Sequence, residues 1–166
     1  MATRPISILI HGLRPAAEIV EVFPAETAAG LLRRLKEHGH EIDLEVAVLS
    51  FRDADDDIRS DVVLVEILES GSHVHVHHHC PRVKVEVRFP PHAKTHDFRA
   101  NKTIGKVLAW AEHEFGIIPA QRGQYRLKLP TAIEYLDNDL HVGELVKQPP
   151  CELRVDLVRI EQNAGS

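Results

Sequence analysis

Apolar and polar residues alternate along several short stretches of this chain, and at two places the spacing changes to that of a helix. The runs ISILIHG and AEIVEVF, the second with Ile19, Val20 and Val22 among Glu18 and Glu21, read as strands. A short turn separates them, which predicts a hairpin. In the following PAETAAGLLRRLKEHG, residues Ala28, Leu31, Leu32 and Leu35 fall at i, i+3, i+4 and i+7, and Gly39 is placed to end a helix in a left-handed cap. DLEVAVLSF and DVVLVEIL then read as strands around the polar loop RDADDDIRS, and SHVHVHHH as a last alternating strand.

The second half repeats this order. VKVEVRF and KTHDFRA precede a helix in TIGKVLAWAEHEFG, where Ile104, Val107, Leu108 and Ala111 again fall at i, i+3, i+4 and i+7. Thr103 is placed to cap its start and Gly116 its end. YRLKL, EYLD and ELRVDLVRI follow as strands. Such an order buries one helix against one face of a mixed sheet, a two-layer α+β solution that occurs here twice. The expected division is residues 1–80, residues 81–160 and a flexible C-terminal tail at 161–166, with only Cys80, Pro81 and Arg82 between the halves.

Composition narrows the function. The halves differ in surface: residues 1–80 carry 14 acidic and 7 basic side chains, residues 81–166 carry 11 and 13. Neither half concentrates a basic stripe with aromatic residues, so no nucleic acid is expected as a partner. No apolar run of about 18 residues occurs, so the chain is expected to be soluble and cytoplasmic, with no membrane partner. Cys80 and Cys151 are too few and too far apart to read as a disulfide framework or a zinc knuckle, and both are taken as structural thiols. No nucleophile elbow, phosphate loop or metalloprotease motif is present, and no enzyme and no cofactor are expected.

The second half resembles ubiquitin in particular residues. EFGIIPAQRGQYRLKL matches the helix exit and third strand of ubiquitin, with Gly116, Ile117 and Pro119 followed by Gln121 and by Arg126, Leu127 and Leu129. EYLDNDLHVGEL resembles the short fourth strand and the turn after it, and ELRVDLVRIEQNAG the last strand with its glycine-ended tail. The first half is similar in element order. Two such domains joined by a few residues resemble the interferon-induced two-domain modifiers of animals and the tandem ubiquitin-like modifiers of bacterial antiphage operons; low similarity to the eukaryotic modifiers favours the bacterial system. The resemblance implies two tandem β-grasp domains and a glycine carboxylate that becomes an adenylate, then a thioester, then an amide on a target protein, which in the bacterial case can be a phage protein. Its implied partners are an activating enzyme, a conjugating enzyme and a C-terminal processing peptidase. Here the glycine is Gly165, the trimmed residue is Ser166, and Ala164 stands where many modifiers have a second glycine. A terminal glycine suits this chemistry because it brings no Cβ into the narrow channel that leads to nucleotide. The second function class weighed is a non-conjugated adaptor that uses the β-grasp domains as a binding surface.

In ubiquitin-like proteins the outer face of the third and last strands commonly carries an apolar patch read by receptors. The matching positions here are Lys128, Arg154 and Asp156 in the second half and His75 and His77 in the first. Receptors for an apolar patch should fail on charged groups, which carry a desolvation cost. His73, His75 and His77 share one strand face; a metal site is weighed there and set aside for a solvated face, because the run brings no other ligand type except Cys80. DADDDIRSDVVL has acids at Asp53, Asp55 and Asp57 but Ile58 and Leu64 where a calcium loop needs glycine and glutamate, and it reads as an acidic surface loop.

Overall fold

The structure of the chain, a computed structural model, describes residues 4–14, 16–146 and 148–160. β1 (Ile6–His11) and β2 (Glu18–Val22) form the expected hairpin, with Ile8 opposite Val20. α1 (Ala28–Glu37) starts where the Thr27 hydroxyl oxygen accepts the Gly30 N–H at 3.1 Å. Gly39 closes it at φ +99°, a conformation that a Cβ would penalise. The chain returns through β3 (Val48–Phe51) and β4 (His73–His77), giving the sheet order β2-β1-β4-β3 with β1 and β4 parallel. Parallel strands need a crossover connection, and α1 lies within it. Its apolar stripe of Ala28, Leu31, Leu32 and Leu35 meets Ile8, Ile10, Val74 and Val76 from the sheet.

The second half is built the same way: β5 (Arg82–Phe89), β6 (His92–Arg99), α2 (Ile104–Glu114), β7 (Tyr125–Lys128), the one-turn helix α3 (Val142–Leu145) and β8 (Glu152–Arg159). The order β6-β5-β8-β7, with β5 and β8 parallel, is that of the first sheet. Val83, Val85, Val87, Leu127, Val155 and Leu157 pack on Ile104, Val107 and Ala111. Two mixed four-stranded sheets, each crossed on one face by a helix, make two tandem β-grasp domains.

Three expectations from the sequence do not hold. DVVLVEIL is not a strand: Leu64–Glu66 form a 3-10 turn, and the carbonyls of Ser60 and Val62 accept the first N–H groups of α1. Those N–H groups have no partner inside the helix, so the apolar segment is used as a cap for α1. EYLD forms no strand, and Leu136 makes one backbone bond, to Leu127 at 2.8 Å. Cys80 and Cys151 are not thiols but a disulfide, with Cα atoms 5.6 Å apart. Their separation of 71 residues gave no sign of this, because the parallel pairing of β5 and β8 sets the residues just before the two strands side by side. Cys80 packs in the second core, so the bond closes a loop within the second domain.

Candidate functional site

Two regions bear on function: the junction between the domains and the end of β8. The junction begins with the loop after β3. Asp53, at φ +62°, accepts the Thr103 backbone N–H on its carboxylate at 2.8 Å, and its own N–H donates to the Asn101 carbonyl at 3.0 Å. The Asn101 side chain, buried completely, donates to the carbonyls of Phe51 at 2.6 Å and Ala54 at 2.9 Å. Lys102 donates to Asp55 at 2.7 Å, which holds the Asp55 carboxyl below its usual range. Arg99 reaches Asp57 and, at 2.9 Å, the Ser50 hydroxyl, which donates to Asp57. The acidic segment is therefore a clasp on the second domain as well as a surface loop: its acids and backbone fix the 99–103 turn that leads into α2.

Beside this clasp the outward face of β4 meets α3. His75 and His77 are each 2% exposed, so the solvated face expected for them is instead covered by the second domain. The physical reason lies in glycine: a Cβ at Gly143 would come 2.8 Å from His75 Nε2, so its absence lets α3 approach the ring. His75 Nδ1 lies 2.9 Å from His141 Nδ1, and Arg52 donates to His141 Nε2 at 3.1 Å. Guanidinium only donates, so His141 is neutral with its proton on Nδ1 and donates to His75. A second chain runs from Glu144 to His11 Nδ1 at 2.6 Å and from His11 Nε2 to His73 Nδ1 at 2.8 Å. The His11 and His141 rings stack at 3.7 Å. Burial, reinforced by neighbouring histidines, pushes the His75 pKa well below normal; burial and then His11 and Arg52 do the same to His141. Burial and Arg99 lower His77 to about 4, against the opposing pull of Asp57. These rings are held neutral at the junction.

The open counterpart is the outer face of the second sheet. Lys128 lies opposite Asp156, and Arg154 opposite Glu86, with Arg154 Nε 3.4 Å from the Glu86 carboxylate. The structure thus brings Lys128, Arg154 and Asp156 together on one charged face and places His75 and His77 elsewhere, inside the junction. His11, His141 and Glu144 were not singled out by sequence reading; an isolated histidine or glutamate in an ordinary strand or helix gives no signal. β8 runs in the middle of its sheet, and the Ile160 N–H donates to the Gln124 carbonyl at 2.7 Å. Ala164, Gly165 and Ser166, with the rest of 161–166, lie outside the described residues. Among the described residues no helix is long and apolar enough to cross a membrane.

The paired sheets, each crossed by one helix, give two domains of the ubiquitin-like β-grasp fold. Residues 84–160 match the family model described as BilA ubiquitin-like domain 2. No curated protein matches the chain. Similar solved structures include ubiquitin of Caldiarchaeum subterraneum, at 13% identity and a TM-score of 0.39, covering 50% of this chain and 99% of that one. Another is an Arabidopsis thaliana protein, at 16% identity and a TM-score of 0.39, covering 52% of this chain and 95% of that one.

Proposed function

We propose that the chain is a protein modifier with no catalytic activity of its own. In this reading a peptidase removes Ser166, the Gly165 carboxylate is adenylated by an activating enzyme, passed as a thioester to a conjugating enzyme, and joined as an amide to target proteins in bacterial antiphage defence. The observation that carries it is the match of residues 84–160 to the BilA ubiquitin-like domain, on a chain with two β-grasp domains. The charged outer face formed by Lys128, Arg154 and Asp156 supports dedicated partners over receptors of an apolar patch. We place this work in the cytoplasm, where thiol pools keep most cysteines reduced; the state of the Cys80–Cys151 bond in cells is a direct check on that placement.

The test is the intact mass of the chain after co-expression with the genes that flank its own, with and without Gly165→Glu. Loss of the Ser166 mass, and heavier adducts that vanish in the variant, are the expected result. An unchanged mass in both overturns the modifier reading and leaves a non-conjugated β-grasp adaptor.

A further inference from the structure

We infer that His11, His141 and Glu144 form a binding site for one divalent cation of the zinc class, shared between the two domains. One ring nitrogen of each histidine and one oxygen of Glu144 lie within 4.8 Å of one another, and all three residues are buried. His11 comes from the end of β1, His141 and Glu144 from the start of α3, so an ion here touches both halves. Two imidazoles and a carboxylate are a common zinc donor set that leaves a further position for water or another ligand. Zinc at about 2.0–2.1 Å from nitrogen or oxygen sets tetrahedral ligands about 3.3 Å apart. The His11 to Glu144 contact of 2.6 Å would open slightly and the widest separation of 4.8 Å would close.

The surroundings of the three donors match what a metal needs beyond its ligands. Ligating histidines generally hold their second nitrogen in a hydrogen bond that fixes the ring and its tautomer. His11 has such a partner in His73, and Glu144 Oε1 accepts the backbone N–H of His141 at 3.0 Å. His141 is held on both sides, by Arg52 and His75, so loading takes the Nε2 lone pair in place of Arg52 while the Nδ1–H bond to His75 keeps the ring oriented. Its ring must turn out of the stack with His11, a rotation that leaves the backbone bond to Glu144 in place. A buried carboxylate paired with a buried imidazole also carries a large desolvation cost, which a cation offsets. The histidines of β4 thus serve as hydrogen-bond partners of the ligands, His73 to His11 and His75 to His141, rather than as ligands themselves.

The experiment uses the untagged full chain, stripped with a chelator and titrated with zinc against a chromophoric competitor, and with cobalt as a spectroscopic probe. One ion per chain is expected, with the intense visible bands of a four- or five-coordinate cobalt site. Glu144→Gln and His11→Gln should each weaken binding by about 100-fold or more, and His73→Gln, through its effect on His11, by about 10-fold. Changes at the exposed His92 and His113 should have no effect. Zinc should raise the unfolding midpoint of the wild type and not that of Glu144→Gln. No saturable binding in the micromolar range, or equal binding by a folded Glu144→Gln chain, overturns the proposal. Should that variant fail to fold, wild-type cobalt spectra with only weak octahedral bands overturn it equally.

Discussion

On the sheet of the first domain the outward positions of β4 are His73, His75 and His77, and the second domain covers the last two. On the sheet of the second domain the outward positions of β8 include Arg154 and Asp156, and each lies across from a charge of opposite sign on a neighbouring strand. The strand orders are the same, so backbone topology does not decide which face is open. Side-chain chemistry does. A face that will be buried is built from rings that can lose their charge, and His75 there also keeps a hydrogen bond, to His141, whereas a face that stays in water keeps full charges that neutralise one another.

The comparison can be broken most severely through the disulfide, which braces the second domain alone. Replacing Cys80 and Cys151 by serine removes the closure of a 71-residue loop, worth about 4 kcal/mol on the chain-entropy scale. Denaturant unfolding of oxidised, reduced and double-serine chains should show the loss in the second domain first.

Acid attacks the covered face. His77 is held at about 4 in the folded chain, against about 6.5 when unfolded, by burial and Arg99; Asp57 opposes this, and His75 and His78 are its other ionisable neighbours. Between those values the unfolded chain binds more protons, so stability is unaffected above pH about 6.5 and falls as the pH drops toward 4, by on the order of 3 kcal/mol for this ring alone. His75 and His141 push in the same direction. Chemical denaturation across that range checks the slope, and a flat profile would contradict neutral burial.

A third test is steric. In Gly143→Ala the new Cβ would lie 2.6 Å from the Ala100 Cβ and 2.8 Å from His75 Nε2, an overpacking expected to cost about 1–3 kcal/mol. Histidine NMR shifts at the junction should move while those of His92 do not. The smallest effect is expected on the open face. Arg154→Glu sets two acids against each other at Glu86, yet solvent screening limits the cost to about 1 kcal/mol or less in the same unfolding measurement.

Much of the fold was legible because it is written in local periodicity. The helix stripes, the capping Thr103, and Gly39 and Gly116 in left-handed positions all stand where the sequence pattern placed them. DVVLVEIL misled because its apolar content suits a strand, yet Leu64 and Leu68 are buried with Glu66 between them exposed, and the segment lies against the end of a helix rather than in a sheet. The junction was hidden for a different reason. His75 finds its partner at His141, Asp53 at Thr103 and Cys80 at Cys151, and no window along the chain contains both members of any pair. Alternation showed that the histidines share a face, but what lies on that face is a property of the other half. The conjugation residues proposed at the end of the chain rest on resemblance and on the fold.

Asn101 gives the junction one more meaning. Its amide is buried completely and donates to two carbonyls of the opposite domain, while Asp53 binds the residue that starts α2. Two halves that share a strand order would, if merely strung together, be interchangeable, and either could be traded for another domain of the same fold. These two cannot. A substitute second domain would have to bring an amide at this one position, a glycine that clears His75 and a turn that fits the acidic clasp, all at once. The tandem is thus a single heritable unit, in which a change on one side of the clasp is tolerated only with its answer on the other.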